Sequence, residues 1–192
     1  RDNVYPHREF LVRSRQDSYI QSCRHSQADN ESSAHIIGYC PAVQGARIKR
    51  HNQLCQILLE EAKKKDWVVI QEPNIKDDQN NLYKLDLVFI KENQVVDIKV
   101  RYESKDSTLA EAAREEVEKH QHLRPQIQES TNTTDIMFFG FPLGACGKWI
   151  QGNDELPQTL GLSTFQQKRT AHTLVSSALF SSVDIVHLFA SK

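Results

Sequence analysis

The sequence predicts an α/β protein in which a mixed sheet is flanked by helices in the order αβββαβ, after a small N-terminal lead-in. Two observations predict this class. Apolar residues recur at helical spacing in three segments, whereas four shorter segments alternate or are uniformly apolar, as strands are. The length of 192 residues allows one domain with a proper core, predicted over 46–192, and a lead-in over 1–45.

Each element follows from its local pattern. The first helix is predicted because Ile48, Leu54 and Leu58 lie three or four residues from other stripe positions. A buried strand then ends before Pro73, and the three polar residues 91–93 join the next two strands into a hairpin. The predicted elements are, in chain order, helix 46–65, strands 67–70, 82–90 and 94–102, helix 106–123, strand 135–141 and helix 165–189.

Charge is spread unevenly along a chain whose formal net charge is only -1. Residues 1–50 carry eight Lys and Arg against five Asp and Glu, and the rest carries 16 against 20. The near-zero net charge argues against a protein that holds DNA by bulk positive charge alone, and any nucleic-acid footprint is expected toward the N-terminal side.

Amino-acid composition indicates the cellular compartment in which the protein is expected. No apolar run approaches the roughly 20 residues that span a bilayer, so we expect no membrane partner. Four irregularly spaced cysteines favour a reducing, intracellular compartment over a disulfide scaffold. The start, RDNVYPHREF, lacks an initiator Met and a secretory signal, which indicates a piece of a longer polypeptide.

The predicted hairpin carries the acidic residues of most interest. A turn centred between Glu92 and Asn93 would pair Val88 with Asp97 and Asp86 with Lys99. One face would then be apolar, with Tyr83, Leu85, Leu87 and Phe89 on its first strand, and the other would collect Asp86, Asp97 and Lys99. Two carboxylates at this range suit a hard divalent cation such as Mg²⁺. The alternative is an exposed face with an ordinary surface ion pair.

Four segments carry a family resemblance. The first is LDLVFIKENQVVDIK (85–99), which resembles the PD-(D/E)XK nuclease motif with Leu85 in place of Pro. The others are GYCPAVQGARIKRHN (38–52), GNDELPQTLGLS (152–163) and SSVDIVHLFAS (181–191). Together they look like the restriction-like endonuclease region at the C-terminus of site-specific non-LTR retrotransposon reverse transcriptases, from about Cys23 onward.

The resemblance implies a restriction-endonuclease-like core and an endonuclease that nicks target DNA to prime reverse transcription in the nucleus. It implies that Asp86 and Asp97 hold Mg²⁺ or Mn²⁺, and that either Lys99 or Lys119 is the catalytic lysine. Element RNA would be a partner through the rest of the polyprotein. The rival is a catalytically inactive nucleic-acid-binding module derived from such an element.

Two residues on the predicted helices are further candidates for this site, Glu61 as a metal ligand and Lys119 as the catalytic lysine. Glu61 lies beside the apolar stripe of the first helix, where related nucleases often place an auxiliary acid. Lys119 lies at the edge of a stripe on the second predicted helix that also carries Glu116 and His120. Polar residues in an apolar stripe either face a site or belong to a solvated helix with long side chains, and both alternatives stay open.

The lead-in carries a possible zinc knuckle. Cys23, His35 and Cys40 fall in register with the C-x3-C-x7-H-x4-C knuckle of the retrotransposon family, but Gln27 occupies the second cysteine position. His25 is the nearest substitute, which gives Cys23, His25, His35 and Cys40 as a tetrahedral Zn²⁺ set. The alternative is a decayed knuckle held by packing alone.

A basic run follows the knuckle. Arg47, Lys49 and Arg50 lie at the start of the first predicted helix, where the helix dipole disfavours cations. Their presence therefore predicts contacts to DNA phosphates, with a plain solvated turn as the alternative.

Overall fold

The computed structural model describes residues 8–9, 22–90, 94–103, 105, 107–132, 134 and 136–192, with the backbone alone for 94–99. Its helices are α1 Ser33–Gly38, α2 Gln44–Lys63, α3 Thr108–His120, α4 Arg124–Thr131, α5 Glu155–Thr159 and α6 Thr164–Ala190. Its strands are β1 Val68–Gln71, β2 Asn74–Lys76, β3 Leu82–Lys84, β4 Leu87–Ile90, β5 Gln94–Arg101 and β6 Met137–Gly144.

A four-stranded mixed sheet organises the chain. Its strand order is β1-β4-β5-β6, and β2 pairs with β3 in a separate two-stranded sheet. The pairs β1–β4 and β4–β5 are antiparallel, whereas β5 and β6 run parallel, joined by a connection through α3 and α4. The mixed α/β class predicted from the sequence is therefore confirmed.

The predicted strand 82–90 is wrong in one respect, because the chain bends at Leu85 and Asp86 and forms two strands, β3 and β4. Leu85 packs with Val88 on one side of the sheet, while Leu87 and Phe89 join the core on the other side. Strict alternation from Tyr83 to Phe89 assumed an unbroken strand. The bend shifts the side-chain faces, so Leu85 does not share a face with Leu87.

The predicted hairpin register is also wrong. Val88 pairs with Val95, not with Asp97, so the observed pairing differs from the expected one by two positions along β5. The last pair of this ladder is Leu87 with Val96. Asp86 lies at the bend beyond this pair, so the described ladder does not pair it with Lys99 as expected.

Helices cover both faces of the sheet. α2 and α6 pack on one face around a core that contains Leu58, Phe89, Phe141 and Leu174. α3 lies against β5 and β6, and residues of the α4 region, Leu123 and Ile127 among them, cover the other face. The approach of α3 is close at Gly140, where a Cβ would overlap the Ala113 carbonyl. Glycine at this position therefore sets the distance between α3 and β6.

The lead-in docks on the last turns of α6. Cys23, Ile36 and Cys40 share a buried cluster with Ile185 and Phe189. This part of the lead-in therefore packs on the domain.

α6 starts with a capping box at its N-terminus. The Ser163 hydroxyl accepts a hydrogen bond from the Gln166 backbone, and the Gln166 side chain accepts one from the Ser163 backbone.

One described helix, α6, is long and apolar enough to cross a membrane by length and composition alone. An 18-residue window in it has a mean hydropathy of 1.5 and is 28% buried. A core helix passes the same test, and α6 packs against α2, β6 and the lead-in.

Candidate functional site

A cleft of about 480 Å³ opens beside Asp86. The cleft is lined by α2, by the end of β1 and by β3, which contribute charged side chains of both signs: Arg47, His51, Glu72, Lys84 and Asp86. Lys84 and Glu72 form an ion pair at 2.7 Å. The cleft therefore combines carboxylates with cations, as a site for a metal ion and a phosphate group requires.

The bend between β3 and β4 fixes Asp86 in this cleft. The Asp86 carbonyl accepts a hydrogen bond of 2.9 Å from the backbone of Glu72, which anchors the bend to the end of β1. The Asp86 side chain is 18% exposed, and its carboxylate lies 3.1 Å from Nε2 of His51. Asp86 is thus held between the sheet and α2, with access to solvent.

Glu72 was missed by sequence reasoning. It lies next to Asp86 through that backbone hydrogen bond and has a φ of +52°, a left-handed conformation that is uncommon for glutamate. Nothing in the sequence beyond its place before Pro73 indicated this conformation. A second carboxylate thus lines the cleft from the neighbouring strand.

Asp97 and Lys99 are placed by their backbone, and their side chains lie outside the described residues. Both belong to β5, where Asp97 pairs with Gly140 and Lys99 with Pro142 of β6. Asp97 follows Val96 on β5, and Asp86 precedes Leu87, the residue that pairs with Val96. The two acidic positions that the sequence singled out therefore flank the last pair of the β4–β5 ladder.

Lys119 and Glu61 lie elsewhere. Lys119 belongs to α3, on the sheet face opposite α2, and its Nζ is 3.5 Å from the buried Glu116 carboxylate. Glu61 lies far along α2, where it pairs with Lys64 at 2.8 Å and Arg169 at 3.4 Å. Neither residue lines the cleft among the residues that the structure describes.

A second cluster forms in the lead-in from Cys23, His35 and Cys40, whose ligand atoms lie within 4.8 Å of one another. The two sulfurs are 3.9 Å apart. Two thiolates bound to one tetrahedral Zn²⁺ at about 2.3 Å each would lie about 3.8 Å apart, so this spacing fits zinc. It is far too long for a disulfide, whose sulfurs lie about 2.05 Å apart.

Local structure explains how these ligands meet. Ser32 caps the N-terminus of α1 by accepting a hydrogen bond from the His35 backbone, which sets His35 in the first turn. The Cys40 backbone in turn donates to the His35 carbonyl. Burial, with the nearby Arg47 charge, lowers the pKa of His35 despite the opposing charge of Glu31, and this favours the neutral imidazole that binds metals.

His25 is not brought to this cluster. Its Nε2 lies 3.1 Å from the carbonyl oxygen of Phe189, and its ring packs edge-on against the Phe189 ring at 4.7 Å. Ser26 lies closer to the ligands, since its hydroxyl is 3.2 Å from Nε2 of His35. The predicted four-residue set is therefore present as three ligands with a serine hydroxyl beside them.

A buried carboxylate holds the lead-in together. Glu31 is fully buried and accepts hydrogen bonds from the backbones of Arg8 and Arg24 and from the Arg24 guanidinium. Burial alone would raise the pKa of Glu31, but these bonds hold it below its ordinary value. The carboxylate therefore remains ionised inside the fold.

The basic run divides between surface and interior. Lys49 is exposed, whereas Arg50 is 4% exposed and donates to the Ile37 carbonyl and the Ser182 hydroxyl. Burial, followed by the charge of Arg47, lowers the pKa of Arg50 to about 10. Arg47 lines the cleft and donates to the Gly38 carbonyl. Arg50 therefore differs from the prediction that it contacts DNA phosphates, because its guanidinium is buried and donates hydrogen bonds to other parts of the protein.

Comparison with known proteins relates the chain to mobile genetic elements. No protein-family model matches the chain. Three Pol polyproteins described as retrovirus-related, from the type-1 retrotransposable element R2 of Popillia japonica, match at 29%, 26% and 26% identity over 73%, 87% and 80% of the chain. The chain spans only 20%, 34% and 26% of their lengths. These similarities show that the chain is related to R2 retrotransposon Pol polyproteins over most of its length.

Proposed function

We propose that this chain is the restriction-like endonuclease part of a non-LTR retrotransposon polyprotein and nicks target DNA in a metal-dependent reaction. The observation that carries the proposal is the placement of Asp86 in a charged cleft, beside the last β4–β5 pair, which Asp97 also flanks. The β1-β4-β5-β6 sheet between α2 and α3 supports a PD-(D/E)XK core. The relation to R2 polyproteins supports the retrotransposon setting.

Asp86 and Asp97 are the residues that would hold Mg²⁺ or Mn²⁺. Their carboxylate oxygens suit a hard cation, which supplies Lewis acidity to the scissile phosphate when bound. Glu72 also lines the cleft, where its carboxylate pairs with Lys84. In this proposal Lys99 orients the attacking water, because Lys119 does not line the cleft, and Arg47 and Lys84 attract the DNA backbone to the cleft.

The partners follow from the same proposal. The target is DNA, element RNA is held by the rest of the polyprotein, and the reaction takes place in the nucleus, where that DNA lies. Zn²⁺ in the Cys23, His35 and Cys40 cluster would order the lead-in beside the cleft, with a water molecule or the Ser26 hydroxyl as fourth ligand.

A nicking assay on supercoiled plasmid with Mg²⁺ tests the proposal. Asp86→Asn and Asp97→Asn are each expected to lower the nicking rate by at least about 100-fold while DNA affinity changes little, because the substituted oxygens serve the metal. Asp184→Asn, an exposed acid on α6 outside this cleft, is the matched control and should leave both unchanged.

The two lysines are separated in the same assay. Lys99→Ala and Lys119→Ala are compared at saturating DNA, and the larger loss of rate identifies the catalytic lysine. Binding of DNA without any nicking by the unmodified chain would contradict the endonuclease and support the inactive binding module.

A further inference from the structure

His51, Cys55 and Asp86 form a cluster of three different donor types at one wall of the cleft. His51 and Cys55 lie four residues apart on α2 and therefore share a helix face. Asp86 approaches that face from the sheet. The ligand atoms of all three lie within 4.8 Å of one another.

The distances match those of a shared tetrahedral ion. Nε2 of His51 lies 3.5 Å from Sγ of Cys55 and 3.1 Å from the Asp86 carboxylate. Zn²⁺ with bonds of about 2.0 to 2.1 Å to nitrogen and oxygen and about 2.3 Å to sulfur would set these pairs about 3.6 and 3.4 Å apart. Small side-chain movements would complete the coordination.

The donor set selects the kind of metal. Mg²⁺ takes oxygen ligands and gains nothing from a thiolate or an imidazole. Zn²⁺ and Co²⁺ bind nitrogen, sulfur and oxygen together. Cys55 is buried at 1% exposure, whereas the His51 and Asp86 side chains are 29% and 18% exposed and line the cleft. The cluster therefore offers two donors that solvent reaches, His51 and Asp86, and a buried third donor behind them.

We propose that His51, Cys55 and Asp86 form a second metal site, which takes Zn²⁺ or a similar borderline ion and thereby withdraws Asp86 from Mg²⁺. The site is distinct from the lead-in cluster, because the two clusters share no residue. The proposed metal binding does not depend on the proposed endonuclease function. Only its consequence, inhibition of nicking by zinc, rests on that function.

Metal content of the full chain tests the site directly. After equilibration with Zn²⁺ and removal of loosely held ion, Cys55→Ala should contain one equivalent less zinc than the unmodified chain. Cys146→Ala is the matched control, because that cysteine is exposed on a turn and belongs to neither cluster. With Co²⁺, the intensity of thiolate-to-metal absorption should fall in Cys55→Ala and not in Cys146→Ala.

His51→Ala provides a second variant, because Cys55 is buried and its replacement disturbs packing. His51 is partly exposed, and circular dichroism should confirm that the variant folds. It too should lose one equivalent. Unchanged zinc content in both folded variants would overturn the site and leave the trio as a hydrogen-bonded group only.

Nicking separates the two proposals. With excess Mg²⁺, micromolar Zn²⁺ should inhibit the unmodified chain, and Cys55→Ala should need at least about ten times more zinc for the same inhibition. Loss of zinc binding in the variants of a chain that never nicks would sustain the metal site and contradict the nuclease. Nicking by a chain whose zinc content Cys55→Ala and His51→Ala leave unchanged would sustain the nuclease and contradict the metal site.

Discussion

Arg50 donates a hydrogen bond of 2.9 Å to the Ser182 hydroxyl across 132 positions of sequence, and this bond joins α2 to α6 inside the molecule. The same guanidinium donates to the Ile37 carbonyl at 3.2 Å and so reaches the lead-in as well. The Ser182 hydroxyl in turn donates a hydrogen bond to the Ala178 carbonyl. One buried cation therefore connects three parts of the chain.

Arg50→Ala is expected to lower the free energy of unfolding by about 3 kcal/mol, because it leaves the Ser182 hydroxyl and the Ile37 carbonyl without their charged donor. Urea unfolding measures the loss. Lys49→Ala is the control, with an expected change within about 0.5 kcal/mol, because Lys49 is exposed. A stable Arg50→Ala chain would contradict the linking role.

DNA affinity should depend on the exposed Lys49 more than on the buried Arg50, the reverse of the order expected for stability. Lys49→Ala removes an exposed cation and should reduce the slope of log affinity against log salt by up to about 0.9. Arg47 lines the cleft, so Arg47→Ala should reduce the slope further. Fluorescence anisotropy at several salt concentrations measures the slope. An unchanged slope in the variant that carries both Arg47→Ala and Lys49→Ala would exclude these two residues from DNA binding.

Gly140→Ala is expected to destabilise the protein by about 1 to 3 kcal/mol, because the new Cβ would overlap the Ala113 carbonyl and force α3 away from β6. Since Gly140 pairs with Asp97, nicking should fall as well. Gly45→Ala in α2 is the matched control. No atom beyond its own helix and neighbours lies within 4 Å of its Cβ position, and higher helix propensity should leave stability equal or greater. Thermal unfolding compares the two variants.

Glu31→Gln should destabilise the protein by about 1.5 to 3 kcal/mol at pH 7, since it removes charge-assisted hydrogen bonds to Arg24. The pKa of Glu31 in the fold lies below its ordinary value of 4.5. Its contribution is therefore present above about pH 4.5 and is lost as the pH falls through the lower, folded value. Urea unfolding from pH 7 to 3 should show the difference between variant and native chain shrink. Glu118→Gln, an exposed residue on α3, should show no such pattern.

Zinc removal should loosen the lead-in without unfolding the sheet. The proposed zinc ligands Cys23, His35 and Cys40 lie within residues 22–43, whereas the core around Phe89 and Phe141 has its own packing. Hydrogen exchange with and without a chelator should show faster exchange in the lead-in alone. Faster exchange in β4 and β6 as well would show that the core also depends on the metal.

The spacing of apolar residues identified the main helices and strands, because a long amphipathic pattern is visible in the local sequence alone. The predicted helix 46–65 and the observed α2, Gln44–Lys63, differ only at their ends. The helix α4 was not predicted, because Pro125 reads as a helix end, yet it lies in the first turn, where proline is tolerated. The bend at Asp86 was missed because Leu85 continues the apolar alternation while packing on the other face.

The candidate site was predicted in part for the same reason. Asp86 and Asp97 stood out because residue type and strand parity are visible in a sequence. The contact between His51 and Asp86 was not, since it depends on how α2 crosses the sheet. Arg50 was wrongly expected at the surface, because a basic run does not indicate which of its members is buried. The buried acceptor of Arg50, the Ser182 hydroxyl, lies 132 positions away in the sequence.

The docking of the lead-in on α6 also sets an order of events during synthesis. His25 meets Phe189 across 164 positions, and Cys23 and Cys40 share their cluster with Ile185. Contacts this distant in sequence form late, because the loop between them must close first. A ribosome exposes the lead-in well before α6 exists. The two thiols are therefore synthesised early but become enclosed only after α6 emerges, so the lead-in completes its packing late.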